Sequence, residues 1–215
     1  MSLGLNKQRQ GLHDQAVEDF QLVLKQNPLS ALAHFNLAVS YFGLRKLDDA
    51  IRELEVTLKI APYYTRADEL LGTIHVQRRE YERADSHFRH ILATEPNSFA
   101  AHHNLGVLAT MQEKWTEAQQ HLSVALQIEP ANAEAHNSMG SLHLYRRDFE
   151  SAAQEFGEAV RLAPRFAGAR YNLGLALNKQ KKGREAAVQF REALAIDPNL
   201  TAAREALARL EGRSN

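Results

Sequence analysis

The chain of 215 residues contains 26 Lys and Arg residues, 26 Asp and Glu residues and no Cys, so its formal net charge is zero. A neutral chain lacks the excess of basic residues that attracts phosphate backbones, which argues against a nucleic-acid-binding protein. The absence of Cys excludes disulfides, zinc ribbons, thiolate nucleophiles and iron–sulfur sites together.

The sequence shows no sign of a membrane segment. No stretch is apolar over the length that a bilayer requires, and residues 1–20 lack the apolar run of a signal peptide. We therefore expect a cytoplasmic protein without membrane insertion.

The prolines reveal an internal repeat. The chain has six prolines, and each lies 34 residues after the one before it. Chance does not place every proline in one register, so the sequence consists of repeated structural units. The six positions are Pro28, Pro62, Pro96, Pro130, Pro164 and Pro198.

Other residue types recur with the same spacing. Alanine occupies one column throughout, a second alanine column follows, and Gly or Ala fills a third. Small residues at these places allow two helix backbones to approach closely, and a Phe or Leu column fills the space beside them. The columns begin at Ala33, Ala16, Gly4 and Phe20.

Each repeat is predicted to contain two helices. Apolar residues recur at three- and four-residue steps, as in Leu105, Leu108 and Ala109, whereas alternating β-branched runs are missing. We expect helices of about 12–14 residues, joined by a short turn and ended by the proline. The predicted turns are Gly43–Lys46, Arg78–Glu80, Gln112–Lys114, Arg146–Asp148 and Lys181–Gly183.

In chain order, a partial repeat with a shortened first helix is followed by five complete repeats and a capping helix. Because Leu3 and Gly4 stand where a first helix should be half complete, we expect the chain to be a piece of a longer protein. The boundaries form one continuous solenoid domain: 1–30, 31–64, 65–98, 99–132, 133–166, 167–200 and 201–215.

The pattern resembles the tetratricopeptide repeat over nearly the whole chain. The residues that carry the resemblance are the Leu–Gly pairs, the Ala and Phe or Leu columns, and the closing prolines. The repeats that read AHFNLA from Ala33 and AHHNLG from Ala101 are also similar to those of the O-linked N-acetylglucosamine transferase superhelix. The resemblance implies an all-α, right-handed superhelical solenoid of antiparallel helix pairs, whose first helices line a concave groove.

The resemblance also implies that ligand contacts lie on the groove side of the first helices. Mapped onto this sequence, the candidate partner-binding residues are Phe35, Asn36, Val39, Arg66, Glu69, Thr73, Gln77, His103, Asn104, Val107, Met111, Asn137, Ser141, Tyr145, Tyr171, Asn172, Leu175, Asn178 and Lys179.

The composition of this set suggests how it would bind. The amides of Asn36, Asn104 and Asn172 offer donors and an acceptor to a peptide backbone, and aromatic or Met side chains such as Tyr145 would anchor it. Tyr171, Phe35 and Met111 are the other expected anchors. The alternative is that the Asn residues are solvated and kept for solubility. The family members that hold chaperone carboxylate tails use paired cations, which the matching positions lack, so that partner is disfavoured.

We expect no metal, cofactor or catalytic site. His87, His90 and His121 form the best histidine trio, yet we expect them to face outward without a carboxylate ligand. The sequence has no HExxH motif and no glycine-rich phosphate loop, and no motif identifies a catalytic nucleophile.

The predicted function is a non-catalytic scaffold or adaptor that binds a peptide or protein segment in the groove. Two alternatives stay open. The chain could be the partner- or substrate-docking arm of a larger enzyme or complex, or it could self-associate through its terminal repeats.

Overall fold

A computed structural model describes residues 1–212, and its helices follow the 34-residue period. Among these residues there are thirteen α-helices and no β-strand, which confirms the predicted all-α class. Their bounds are α1 Ser2–Arg9, α2 His13–Gln26, α3 Ala31–Gly43, α4 Leu47–Ile60, α5 Thr65–Gln77, α6 Tyr81–Thr94, α7 Phe99–Met111, α8 Trp115–Ile128, α9 Ala133–Tyr145, α10 Phe149–Leu162, α11 Ala167–Lys179, α12 Gly183–Ile196 and α13 Thr201–Glu211.

The helix lengths repeat as regularly as the sequence columns. From α3 onward each repeat has a first helix of 13 residues and a second helix of 14 residues. The two end helices are shorter: α1 has 8 residues and α13 has 11.

The chain divides into two compact units, with the boundary inside α7. The N-terminal unit is Met1–Ala101 and the C-terminal unit begins at His102. Within each unit, a first helix packs against the second helix of its own repeat and against that of the preceding repeat. In the N-terminal unit, for example, Leu37 of α3 packs with Ala16 and Phe20 of α2.

The small-residue columns are buried as their spacing predicts. Every member of the two alanine columns, from Ala33 to Ala203 and from Ala16 to Ala186, is fully buried. The Phe and Leu column lies beside them, from Phe20 to Phe190, with each side chain no more than 1% exposed. These columns form the contact between the two helices of each repeat.

Each first helix ends in the same left-handed turn. The residue at this position has a positive φ, and the amides at and after it bond back to the last turn of the helix, as Arg45 N does to Phe42 O and Lys46 N to Tyr41 O. This is the Schellman arrangement, which usually employs glycine. Only the first of the six is glycine; the residues are Gly11, Arg45, Arg79, Glu113, Arg147 and Lys181.

A polar contact also ties the two helices of each repeat, always between residues 19 apart. His34 Nδ1 lies 2.6 Å from Glu53 Oε2, and His136 Nδ1 lies 2.7 Å from Glu155 Oε2. Equivalent contacts join Asp68 to His87, His102 to His121, and Arg170 to Gln189.

Candidate functional site

In the N-terminal unit, several predicted binding residues surround one recess between α3 and α5. The recess has a volume of about 220 Å³. Five of the residues were predicted from the sequence, and the recess also includes Leu70 and Phe42. The lining is Phe35, Val39, Phe42, Arg66, Glu69, Leu70 and Thr73.

Phe35 forms the floor of this recess rather than an exposed anchor. It is 3% exposed, and its ring centroid lies 5.1 Å from that of Tyr64. The guanidinium carbon of Arg66 lies 4.7 Å from the centroid of the same ring, within the range of a cation–π contact. The recess therefore combines a fixed apolar floor with charged residues around it.

Asn36 does not have the predicted open position. It is 6% exposed, and its Nδ2 donates to the Leu32 carbonyl at 2.8 Å. Gln8 of α1 donates to the Asn36 carbonyl at 2.6 Å and to Ser40 Oγ at 2.7 Å. Because α1 covers Asn36, a ligand on this face has no access to its amide, and the prediction for this residue is corrected.

In the C-terminal unit, polar side chains link neighbouring first helices. Asn172 Nδ2 on α11 donates to Asn137 Oδ1 on α9 at 2.9 Å, and His103 Nε2 on α7 lies 2.8 Å from Ser138 Oγ on α9. All four residues are partly exposed. Each amide uses one of its two polar groups in the Asn–Asn bond. The Nδ2 of Asn137 and the Oδ1 of Asn172 can therefore form hydrogen bonds with other groups.

Burial lowers the pKa of His103, and the nearby Glu134 opposes this effect only in part. The neutral imidazole is therefore favoured at neutral pH. A neutral ring has one donor and one acceptor nitrogen, and a hydroxyl can complement either. The bond with Ser138 thus fixes the ring on this face without a charge.

The predicted apolar anchors differ in exposure. Tyr145, at the end of α9, is 67% exposed, and Met111, at the end of α7, is 49% exposed. Tyr171 instead packs against Phe190, with ring centroids 5.8 Å apart, so part of its ring belongs to the contact between α11 and α12. Among the predicted anchors, Tyr145 and Met111 therefore have the most exposed side chains.

The other predicted residues fall into two groups by exposure. Gln77 and Lys179 are exposed at the ends of α5 and α11. The hydroxyl of Ser141 donates to the Asn137 carbonyl at 2.9 Å and is used within α9. The remaining residues are half-buried on first helices: Asn104, Val107, Leu175 and Asn178.

A larger recess in the C-terminal unit was not predicted. It lies between α10, α11 and α12 and has a volume of about 530 Å³. Its apolar lining is Ala153, Leu173, Leu177 and Val188. Helical periodicity assigns all four to packing, and the 46% exposure of Val188 is the one feature that departs from this assignment.

The expectation that the histidine trio lacks a carboxylate partner is wrong, although His90 is exposed as predicted. His87 Nδ1 lies 2.9 Å from Asp68 Oδ1, and His90 Nδ1 lies 2.7 Å from Asp68 Oδ2. Asp68 is 1% exposed. The third member of the trio, His121, has its Nδ1 2.9 Å from that of His102.

Within residues 1–212, no group of three or more His, Asp or Glu side chains is placed to hold a metal ion. Over the same residues, none of the helices combines the length and the apolar character needed to cross a membrane.

Repeated antiparallel helix pairs with closing prolines define a helical repeat protein. The family model for the tetratricopeptide repeat matches residues 1–65, 70–133 and 137–201, so the chain belongs to the tetratricopeptide repeat family. This family provides scaffolds for protein–protein interaction and is typically non-catalytic. A comparison with curated protein sequences gives no match.

Solved structures with the same fold are distant in sequence. The Cut9–Hcn1 hetero-tetramer of the APC/C has a TM-score of 0.84 at 19% identity, with 97% of this chain and 41% of that chain covered. PilF of Pseudomonas aeruginosa has a TM-score of 0.80 at 20% identity, with 97% and 95% covered. YrrB, described as a TPR protein with an unusual peptide-binding site, has a TM-score of 0.63 at 20% identity, with 88% and 98% covered.

Proposed function

We propose that the first helices of this chain bind an extended segment of a protein partner, and that the chain acts as a non-catalytic scaffold. The proposal rests mainly on the bond between Asn137 and Asn172. This bond holds two amides side by side on α9 and α11 and leaves the amide nitrogen of Asn137 as a donor and the amide oxygen of Asn172 as an acceptor. An extended peptide backbone presents carbonyls and N–H groups that match this pair without requiring a particular sequence.

Exposed apolar residues on the same set of helices support the proposal. Tyr145 and Met111 offer large side chains at the ends of α9 and α7. An aromatic residue with a polar tip and a flexible thioether are side chains that commonly anchor a partner. Backbone recognition by amides together with apolar anchoring gives a binding mode that needs no catalytic group.

The test uses a displayed library of random linear peptides, selected on the immobilised full chain. The double variant Asn137→Ala/Asn172→Ala removes both partners of the bond, so neither amide is left unpaired. We expect its affinity for the selected peptides to fall by about tenfold, which corresponds to the loss of roughly 1.4 kcal/mol of binding free energy. Circular dichroism verifies that the variant keeps its helices.

The control is the double variant Asn27→Ala/Asn97→Ala, which removes two exposed amides from turns outside the first helices. We expect its affinity to stay unchanged. If the Asn137→Ala/Asn172→Ala variant and a Tyr145→Ala variant each bind the selected peptides as tightly as the unmodified chain does, the first helices are not the binding site.

Self-association is a second candidate, favoured by the exposure of Leu3. This side chain is 59% exposed, whereas Leu37, Leu71 and Leu105 in the same column are at most 2% exposed. Leu37 is buried by the second helix of the preceding repeat. A second helix from another copy would bury Leu3 in the same way.

Light scattering over a concentration series tests this candidate. We expect the mass to rise with concentration and the variant Leu3→Gln to suppress the rise. The control is Leu22→Gln on α2, where the leucine is 57% exposed. A mass that stays monomeric throughout the series would exclude self-association.

A further inference from the structure

The recess between α3 and α5 has the dimensions of a pocket for one side chain. Its volume of about 220 Å³ is below the roughly 300–1,000 Å³ of pockets that enclose a whole small molecule. Its apolar lining comes from Phe35, Val39, Phe42 and Leu70. A large apolar side chain of a bound segment would remove this surface from water.

The floor of the recess is held in place by its own contacts. Phe35 is almost completely buried, with Tyr64 against one part of its ring and Arg66 within 4.7 Å of its centroid. A partner side chain would therefore meet a preformed surface, and little ordering entropy opposes binding.

Arg66 places an exposed cation at this recess. Other arginines of the N-terminal unit form ion pairs, such as Arg78 with Asp48 and Arg83 with Glu80. In the part of the chain that the structure describes, the guanidinium of Arg66 has a ring contact with Phe35 and forms no ion pair. Its N–H groups are available to an incoming carboxylate, for which a guanidinium is well suited.

Glu69 also lines the recess, one helical turn after Arg66. Its carboxylate repels a second negative charge, so a run of acidic residues in the partner would meet repulsion as well as attraction. A single carboxylate beside the apolar anchor satisfies Arg66 and avoids most of this repulsion.

We infer that this recess selects a partner segment in which one large apolar residue, such as Leu, Met or Phe, lies beside a single Asp or Glu. The apolar side chain occupies the recess, and the carboxylate pairs with Arg66. This inference rests on the proposed function and specifies the sequence that the N-terminal unit prefers.

The test uses an array of synthetic peptides with capped ends and a Gly/Ser background. Each peptide carries one Leu or Ala, flanked by Asp, Asn or Lys, and a further set carries a run of Asp. For the unmodified chain we expect Leu–Asp peptides to bind about fivefold tighter than Leu–Asn peptides. We expect Ala–Asp peptides and the Asp run to bind more weakly than Leu–Asp.

Charge variants of Arg66 separate recognition from stability. Arg66→Gln should remove the preference for Asp, and Arg66→Glu should reverse it in favour of Lys, a result that misfolding cannot produce. Thr73→Phe partly fills the recess and should abolish the preference for Leu. The matched control is Arg45→Gln, which removes another exposed cation from the same unit and should leave every preference unchanged.

The outcomes distinguish this inference from the proposed function. If peptides bind through Asn137 and Asn172 but the Asp preference is absent or survives in Arg66→Glu, the inference is wrong and the proposed function stands. If no peptide of either the array or the displayed library binds the unmodified chain, both are wrong.

Discussion

Gly72 lies directly against the ring of Phe88, so that a Cβ built on Gly72 would be 2.4 Å from Phe88 Cε1. The same relationship recurs at Gly140, whose Cβ would be 2.7 Å from Phe156, and at Gly174, 2.5 Å from Phe190. The small-residue column is therefore required by the aromatic column of the facing helix.

The first prediction concerns two glycines with opposite surroundings. Gly72→Ala should destabilise the chain by about 1–2 kcal/mol, because overpacking costs roughly 1–3 kcal/mol and better helix propensity returns up to about 1 kcal/mol. Gly157, inside α10, has no neighbouring atom within 4 Å of the position that a Cβ would take, so Gly157→Ala should stabilise by about 0.5–1 kcal/mol. Urea unfolding of both variants measures the difference in sign.

A compensating change provides the control for Gly72. The repeat with Ala38 carries Leu54 in place of Phe at the facing position. The double variant Gly72→Ala/Phe88→Leu reproduces this combination and should cost less than the sum of its single changes. Strict additivity would show that the Ala and Phe side chains do not clash.

The helix pairs and their buried columns could be predicted from the sequence because small and apolar residues recur at equivalent positions in every repeat. The binding face could be predicted only in part. Periodicity places Asn36 on the first-helix face, but it does not show that Gln8 and α1 cover it. Likewise, the partner of His87 and His90 is Asp68 on the other helix of the repeat, and the apolar periodicity within one helix does not identify a polar partner on another.

The second prediction concerns the left-handed turns. Arg147 has φ of 65°, a conformation that costs a residue with a Cβ about 1–2 kcal/mol relative to glycine. Glycine at this position also gives the unfolded chain more conformational entropy, which offsets about 0.4–1 kcal/mol of this gain in stability. Arg147→Gly should therefore raise the free energy of unfolding by about 0.5–1 kcal/mol. The neighbouring Arg146→Gly, at φ of −71°, should give no such gain.

The third prediction tests the buried carboxylate of Asp68. Each of its two oxygens lies within hydrogen-bond distance of one imidazole nitrogen. The amide of Asp68→Asn has only one oxygen that can accept a hydrogen bond. One imidazole then loses its acceptor or must present its other tautomer, and we expect a loss of about 1–3 kcal/mol in urea unfolding. The control Asp85→Asn removes a more exposed pair with Arg89 and should cost less than about 1 kcal/mol.

The fourth prediction follows from the lowered pKa of His103. An exposed imidazole in the unfolded chain titrates near 6.5, whereas burial holds the pKa of the folded residue below this value. As the pH falls through the interval between these two values, the unfolded chain binds a proton that the folded chain does not. The contribution of His103 to stability is therefore complete above the unfolded pKa and is lost as the pH falls below it.

The variant His103→Gln keeps a polar side chain on α7 and removes the titrating group. Urea unfolding at about pH 7.5 and about pH 5.5 should show a smaller loss of stability on acidification for this variant than for the unmodified chain. Ser138→Ala should retain most of the pH dependence, because burial of the imidazole is the main cause of its lowered pKa. Asn104→Gln, on the same helix, removes no titrating group and should follow the unmodified chain. Equal losses for His103→Gln and the unmodified chain would show that His103 titrates alike in both states.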